Sequence, residues 1–248
     1  MTNSSHSLGY INDEIDTRDF KFSTSHVSLP SSVDYTPFMS PVRNQGNRKS
    51  CVAFAMCAVR EFQTGIKNDL SEEMLYQLSG ETGGGVKPRN ACKVLQRIGV
   101  SREKFWPYEK RKDPVSTKYV VDLTEHRRAL ADARRWRIDR YVQLRTVEEM
   151  KQSLVENGPF VMGLDWDRSW YTGVIRGELF QVPKKSDRVG GHMVCVVGYQ
   201  EYAPEMVVWH VRNSWGSRWG SHGYALLTEQ ALLWANARCW ALYGSKRK

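Results

Sequence analysis

The chain has 248 residues, of which 41% are hydrophobic and 25% are charged, and its formal net charge is +9. This composition is typical of a globular protein and excludes a collagen, a long coiled coil and a wholly disordered chain. The sequence contains no apolar run of the roughly 18–20 residues that a helix needs to span a bilayer, so we expect no membrane-spanning segment.

Residues 1–28 are polar and rich in turn formers, and they lack the basic and apolar regions of a secretory signal. They predict an extended N-terminal strap that lies on a folded body covering residues 29–248. The five cysteines are irregularly spaced and include no CxxC pair, a pattern atypical of a structural zinc site or a disulfide scaffold. We therefore expect free thiols and a cytoplasmic location, with export by a route that needs no signal peptide as the alternative.

The first half of the folded body has helical patterns. Apolar residues follow Ser50 with no Gly or Pro until Gly65, and Ser71 precedes two glutamates, so both serines are predicted N-caps. An amphipathic run that ends at Gly99 adds a third helix. These patterns predict helices at residues 51–66, 71–78 and 89–98, with a glycine loop at 83–85 before the third.

The second half begins with helices and continues with strands. Thr146 and the pair Gly158-Pro159 mark the start and the end of its second helix. Short apolar runs bounded by turn residues then indicate strands. The predicted helices are at residues 124–137 and 146–156, and the predicted strands are at 160–166, 192–199, 206–215 and 223–227. A helical half followed by a strand-rich half is typical of an α+β fold with two lobes.

Positive charge is concentrated between the two halves, where residues 102–140 hold 12 Lys or Arg against 7 Asp or Glu. The aromatic residues of this region have apolar neighbours, which indicates core packing and not a row of rings that stack on bases. We interpret the charge as a solvated helix face and expect no nucleic-acid partner. Binding of a nucleic acid through this basic region is the alternative.

Four residues carry groups suited to nucleophilic catalysis. Cys51 begins the first predicted helix, where the helix dipole and the unpaired N–H groups favour a thiolate. His192 opens a predicted strand and offers a base, and Asn213 offers an acceptor that orients the base. Gln45 lies six residues before Cys51 and offers a side-chain N–H to an oxyanion.

Three motifs in this order, PVRNQGNRKSCVAFA, GGHMVCVVGY and NSWGSRWGSHGY, resemble the papain-like cysteine peptidases. The resemblance covers nearly the whole chain and is strongest to bacterial and phage members, which lack the long prodomain. It implies a helical lobe and an antiparallel β-barrel lobe with the active site in the cleft between them. We place the helical lobe at about residues 29–115 and the β-rich lobe at about 116–248.

The resemblance also implies the role of each residue. Cys51 attacks the scissile carbonyl as a thiolate, His192 completes the ion pair and protonates the leaving amine, and Asn213 fixes the imidazole. Gln45 and the backbone N–H of Cys51 form the oxyanion hole. The substrate-binding residues that the resemblance implies are Lys49, Ser50, Gly84, Gly85, Gly191 and Trp215. The substrates are proteins or peptides, and neither a metal nor an organic cofactor is implied.

Three residues around the nucleophile depart from the family's pattern. Arg48 stands where the family has a disulfide cysteine, Lys49 where it has a glycine beside a substrate pocket, and Val52 where it has a tryptophan. The absence of the disulfide cysteine supports a reducing compartment. A lysine two residues before Cys51 predicts either a lower thiol pKa or a crowded cleft.

The complete set of catalytic residues predicts an active thiol endopeptidase. One alternative is a degenerate member that binds a peptide or a partner protein without turnover, which Lys49 and Val52 favour. Another is a thiol acyltransferase, deamidase or peptidoglycan hydrolase, which applies the same chemistry to a different bond. The strap at residues 1–28 is hypothesised to be a built-in regulator that fills part of the cleft. The sequence predicts no oligomeric state.

Overall fold

The computed structural model describes residues 6–14, 16, 19, 22–23, 28–65, 69–80, 84–109, 124, 126–171, 179–203 and 206–244. In these ranges the helices are α1 (Cys51–Thr64), α2 (Glu72–Ser79), α3 (Pro88–Arg97), α4 (Arg127–Ala133), α5 (Val147–Asn157) and α6 (Glu229–Trp234). The strands are β1 (Ser32–Asp34), β2 (Arg140–Leu144), β3 (Phe160–Asp167), β4 (Leu179–Phe180), β5 (Arg188–Ala203), β6 (Met206–Arg212), β7 (Tyr224–Thr228) and β8 (Arg238–Tyr243).

The predicted helices are present, and two of their predicted caps are formed by side chains. The Ser71 hydroxyl accepts from the Met74 N–H at the start of α2, and the Thr146 hydroxyl accepts from Glu149 at the start of α5. Ser50 occupies the predicted N-cap position of α1, but its hydroxyl does not cap the helix. No cap bond forms there, because the Ser50 hydroxyl lies 2.7 Å from the Tyr108 hydroxyl. The basic helix α4 is shorter than predicted and continues as a 3-10 turn to Trp136.

The strands form one large sheet, with the order β2-β8-β3-β5-β6-β7-β4 and with β1 paired to β5. All pairs are antiparallel except β4 with β7, so the predicted α+β class is confirmed. The expected closed barrel is wrong, because the terminal strands β2 and β4 do not pair in the described part of the chain. The two-residue β4 runs parallel to β7 and offers too short an edge to close the sheet.

The long central strand β5 separates two hydrophobic clusters. Met193, Cys195 and Val197 face α1 and belong to a cluster that includes α1, α2 and α3. Val194 and Val196 alternate with them and face the second cluster, which is formed by the sheet, α5 and α6. This alternation follows from the two-residue period of a strand. It places the start of α1 against the beginning of β5.

A buried polar network connects α1 to the sheet. Arg212 on β6 donates to the Ser40 hydroxyl at 3.1 Å, and Ser40 donates to the Glu61 carboxylate of α1 at 2.5 Å. Glu61 also binds the Arg43 guanidinium and accepts from the Leu70 N–H at 2.9 Å. Every oxygen of the Glu61 carboxylate therefore has a donor, as a buried charge requires.

Two further observations bear on the sequence-based expectations. In the described residues, no helix is both long and apolar enough to cross a membrane. All five cysteines are buried free thiols. The boundary between lobes near residue 115 lies outside the described residues and stays a prediction.

Candidate active site

The candidate nucleophile lies where the first helix meets the sheet. Cys51 is the first residue of α1 and has no exposed surface. The backbone groups of Met193 and Gly9 lower the pKa of its thiol, so both residues lie close to it. Met193 directly follows His192 on β5, so the nucleophile lies next to the strand segment that carries the candidate base. The two residues are 141 positions apart in the sequence, and the packing of α1 on β5 brings them together.

His192 is hydrogen-bonded to Asn213. The His192 Nε2 and Asn213 Oδ1 atoms are 2.7 Å apart, and the same oxygen accepts from the Ser214 N–H at 2.7 Å. An amide oxygen only accepts, so Nε2 carries the proton and Nδ1 holds the free lone pair of a neutral imidazole. Nδ1 is buried and has no hydrogen-bond partner among the described atoms. The nitrogen available to take a thiol proton is therefore Nδ1.

Aromatic rings enclose the histidine–asparagine hydrogen bond. The Trp215 ring is 4.6 Å from the His192 ring, and the Trp166 ring lies edge-on at 4.8 Å. Tyr171 stacks on Trp215 at 5.3 Å, and His6 of the strap stacks on it at 4.5 Å. These rings exclude water, which strengthens the hydrogen bond that they surround. The sequence predicted Trp215 here but not Trp166, whose contact comes from the neighbouring strand β3.

Gln45 is held in one orientation beside Cys51. Its Oε1 accepts from the Ser214 hydroxyl at 2.6 Å, and its Nε2 donates to the Arg48 carbonyl at 2.6 Å. The same Nε2 donates to the Ser7 carbonyl of the strap at 3.0 Å. One amide hydrogen thus meets a structural acceptor, and the other meets a carbonyl oxygen that lies in the cleft. This is the arrangement that an oxyanion donor requires.

Residues 7–11 of the strap run through the cleft as an extended peptide. The Tyr10 N–H donates to the Gly191 carbonyl at 3.0 Å, the Val86 N–H donates to the Gly9 carbonyl at 2.7 Å, and the Ile11 N–H donates to the Val86 carbonyl at 3.1 Å. The expected role of the strap in filling the cleft therefore has a structural basis. The backbone of Gly9 lies close enough to the Cys51 thiol to lower its pKa.

The strap fits the cleft closely at two glycines. A Cβ atom on Gly9 would lie 2.0 Å from the Lys49 carbonyl oxygen. A Cβ atom on Gly163 would lie 2.4 Å from the Tyr10 ring, which fills a pocket beside Val86 and Gly191 and is only 8% exposed. Glycine at residue 163 therefore gives this pocket the depth that an aromatic ring needs.

The predicted substrate-binding residues differ in what they contact. Gly191 binds the strap directly, as expected. The glycine loop borders the strap, with a Cβ on Gly85 placed 3.0 Å from Ile11, but the backbone hydrogen bonds that were expected at Gly84 and Gly85 are made by Val86. The φ angles of Gly84 and Gly85, 84° and 92°, turn the chain so that Val86 presents both its N–H and its carbonyl.

The other two predicted substrate-binding residues near the nucleophile are Lys49 and Ser50. The Lys49 side chain is exposed, and it is the Lys49 backbone that contacts the strap. The Ser50 hydroxyl is turned to Tyr108.

Burial sets the protonation state of the candidate pair. It raises the pKa of the Cys51 thiol to about 11, against the lowering effect of the backbone groups of Met193 and Gly9. It lowers the pKa of His192 to about 4, against the raising effect of the Asn213 hydrogen bond. In the strap-covered state burial favours the neutral thiol, and the thiolate expected at the helix N-terminus stays a prediction for the open cleft. With the strap in place, both groups are neutral at pH 7.

Comparison with known proteins assigns the family. The model of the family described as "Papain family cysteine protease" matches residues 29–239. The chain belongs to the papain family of cysteine proteases. Cysteine proteinase 3 of Entamoeba histolytica is 30% identical over 82% of this chain and 64% of that protein. Mouse cathepsin K is 30% identical over 89% of this chain and 65% of that protein. The chain thus spans slightly less than two thirds of these curated relatives.

A solved structure of a bacterial family member is similar over its full length. Xylellain, a cysteine protease from Xylella fastidiosa, has a TM-score of 0.78 and 27% identity, and the match covers 99% of this chain and 98% of that chain. The match includes the strap region of this papain-family chain as well as residues 29–239. The predicted two-lobe papain-like fold is confirmed.

Proposed function

We propose that this protein is a thiol endopeptidase that uses Cys51, His192 and Asn213 and passes through an acyl-enzyme. One observation carries the proposal. The His192–Asn213 hydrogen bond of 2.7 Å leaves Nδ1 as the free base, and Cys51 begins the helix that packs on β5, the strand that carries His192. Nucleophile, base and orienting acceptor thus occur in the order that thiol proteolysis needs.

The chemistry follows from these positions once the strap leaves the cleft. His192 Nδ1 takes the thiol proton, and the Cys51 sulfur attacks the carbonyl carbon of the scissile bond. The Gln45 Nε2 group and the Cys51 N–H stabilise the oxygen as its charge develops. Collapse of this intermediate breaks the C–N bond, and His192 transfers its proton to the leaving amine. Water then attacks the thioester with His192 as the base, which releases the acid and regenerates the thiol.

The path of the strap supports cleavage within a chain. Ser7 lies at Gln45, while Ile11 lies past Val86, so the cleft accommodates a chain on both sides of Cys51. The pocket filled by Tyr10 supports a preference for substrates with an aromatic side chain at that subsite. The five buried free thiols support action in a reducing compartment.

The test measures peptide cleavage and covalent labelling in the full chain. We expect hydrolysis of an internal peptide bond and labelling by a thiol-directed epoxide in the wild type, and neither in Cys51→Ala. His192→Ala should lose both, because no base remains to activate the thiol. Cys92→Ala, which removes another buried thiol on α3, is the matched control and should keep both. Hydrolysis that persists in Cys51→Ala would contradict the proposal.

A further inference from the structure

A buried arginine lies three residues before the nucleophile and outside the set that performs the chemistry. Arg48 is 2% exposed. Its two terminal nitrogens bind the two carboxylate oxygens of Glu73 on α2, and the Nη2–Oε1 distance is 3.0 Å. Nη1 also donates to the Glu109 carbonyl at 2.9 Å, and the rings of Tyr76 and Tyr108 each lie 5.0 Å from the guanidinium carbon. We name this pair the Arg48–Glu73 clamp.

The backbone of Arg48 is attached directly to the oxyanion donor. Its carbonyl accepts from Gln45 Nε2 at 2.6 Å, and this bond fixes one hydrogen of the amide. The second hydrogen then has to point to the place where the Ser7 carbonyl oxygen now lies. The planar guanidinium holds its carboxylate through two parallel bonds, which fixes orientation as well as distance. The position of the donor therefore depends on the position of the clamp.

A second contact fixes the same segment from its other side. The Tyr108 hydroxyl donates to the Gln45 carbonyl at 2.9 Å and lies 2.7 Å from the Ser50 hydroxyl. The next residue, Glu109, donates its N–H to the Glu73 carboxylate at 3.2 Å. The Glu73 carboxylate thus binds both the Arg48 side chain and the Glu109 N–H, and through them it holds the segment from Gln45 to Cys51.

We infer that Arg48 and Glu73 are positioning residues that hold Gln45 as the oxyanion donor of the reaction. The inference rests on the proposed function, because an oxyanion donor has a role only in the attack on a carbonyl. Neither residue touches the reacting atoms.

The inference predicts a specific kinetic effect. A displaced oxyanion donor weakens binding of the transition state and leaves ground-state binding intact, so kcat should fall while KM stays nearly constant. Alkylation of Cys51 by iodoacetamide forms no oxyanion and should not change. A general loss of structure would instead change KM and the alkylation rate together with kcat.

The experiment compares Arg48→Met with Arg102→Met in the full chain. Arg102 makes a similar two-pronged pair with Asp132, at 2.7 Å for Nη2–Oδ1, but makes no contact with residues 45–51 in the described structure. We expect Arg48→Met to lower kcat by about 10- to 100-fold, a part of the 10²- to 10³-fold that removal of a donor costs. KM and the alkylation rate should change by no more than about threefold. Arg102→Met should keep the wild-type kcat, and Arg48→Lys, which keeps the charge with one contact, should be intermediate.

Three results would overturn the inference: an unchanged kcat in folded Arg48→Met, an alkylation rate that falls in parallel with kcat, or an equal loss in Arg102→Met. Should Arg48→Met fail to fold, Glu73→Gln keeps the shape of the clamp without its charge and is judged by the same criteria.

A ligand that needs no turnover separates this inference from the proposed function. The Cys51 sulfur adds to the carbon of a peptide aldehyde while the thiol proton passes to the former carbonyl oxygen, which then lies at Gln45. The matching peptide alcohol forms no such adduct. We expect Arg48→Met to weaken binding of the aldehyde at least tenfold and to leave binding of the alcohol unchanged. An equal effect on both ligands would overturn the positioning role even in a protein that hydrolyses no peptide.

Discussion

Asn213 controls the base through a single hydrogen bond. It binds the protonated nitrogen of His192 at 2.7 Å, and this bond raises the pKa of the imidazole while burial lowers it. The imidazolium is the form that delivers a proton to the leaving amine. The pH at which this form gives up its proton therefore depends on the asparagine.

Replacement of Asn213 by alanine should therefore shift the pH dependence of catalysis. Loss of the bond lowers the pKa of His192, so the ring stays a neutral base down to a lower pH and the acidic limb of kcat/KM moves to lower pH. We expect kcat to fall about tenfold or more, because the ring also loses its fixed orientation. The measurement is kcat/KM from pH 4 to 10.

The matched control for this prediction is Asn157→Ala. Asn157 is a buried asparagine at the end of α5, and its side chain donates to the Leu242 carbonyl at 2.9 Å. The substitution should lower stability and leave the pH profile in place. An unchanged acidic limb in Asn213→Ala would contradict the assigned role.

At the scale of residues, the sequence predicts those parts of the site that lie in continuous motifs. The environments of His192 and Asn213 are local, and their pairing is as predicted. Val86 and Trp166 could not be identified, because their contacts arise where distant segments meet. Ser50 was assigned to a cap because its sequence position is right, but Tyr108, which is 58 residues away, takes its hydroxyl.

At the scale of elements, the strap lies in the cleft beside the nucleophile. Burial raises the pKa of Cys51 and lowers the pKa of His192, which is opposite to what an ion pair needs. Removal of the strap restores solvent to both groups. The thiol pKa should then fall below about 11, and the thiolate fraction at pH 7 should rise.

The substitution Gly9→Ala should displace the strap without changing the catalytic residues. Its new Cβ would lie 2.0 Å from the Lys49 carbonyl, a backbone atom that cannot move aside easily. We expect alkylation of Cys51 by iodoacetamide at pH 7 to accelerate at least tenfold, because about one pKa unit of recovered acidity gives a tenfold larger thiolate fraction. Hydrolysis of a dilute peptide should accelerate as well.

The control is Gly80→Ala, at the end of α2, where φ is −67° and any residue is accommodated. It should leave both rates unchanged. If Gly9→Ala reacts no faster than the wild type while the folded structure is intact, the strap does not limit access to Cys51.

Most elements with a strong local pattern were predicted, and those without one were not. The helices α1, α2 and α5 have caps or apolar runs that identify them. The strands β2 and β8 were missed, because β2 follows an arginine-rich segment and the two strands are recognised mainly by their mutual pairing from Arg140 with Tyr243 to Leu144 with Cys239. Such long-range pairing is not encoded in local propensity.

At the scale of the whole molecule, the buried network of Arg43, Glu61, Ser40 and Arg212 joins the helices to the sheet. The Glu61 side chain is 1% exposed and compensates the positive charge of Arg43. A buried charge without its partner is costly, so this network should contribute strongly to the cohesion of the two halves.

Glu61→Ala should lower the free energy of unfolding by about 3–5 kcal/mol, as expected when one partner of a buried pair is removed. Urea denaturation of the folded protein measures the change. The matched control is Asp187→Ala, which breaks an exposed ion pair with Arg168 at 2.6 Å and should cost less than about 1 kcal/mol. Equal losses in the two variants would show that the buried network has no special role.

The overall α+β architecture followed from the order of helical and strand-rich segments, whereas the closure of the sheet did not. Whether an antiparallel sheet closes depends on how its terminal strands meet, and β4 has only two residues. The position of the strap was also beyond sequence reasoning in detail. Its hydrogen bonds go through backbone atoms, which no residue type reveals.

The occupied cleft makes substrate affinity depend on a conformational equilibrium. A tethered peptide competes with substrate at an effective concentration that does not change when the protein is diluted. If the strap is closed in 99 molecules of every 100, the apparent KM is raised about 100-fold while kcat at saturation is unaffected. The enzyme would then respond chiefly to abundant protein, and each strap residue that tightens or loosens closure would tune the substrate concentration at which proteolysis begins.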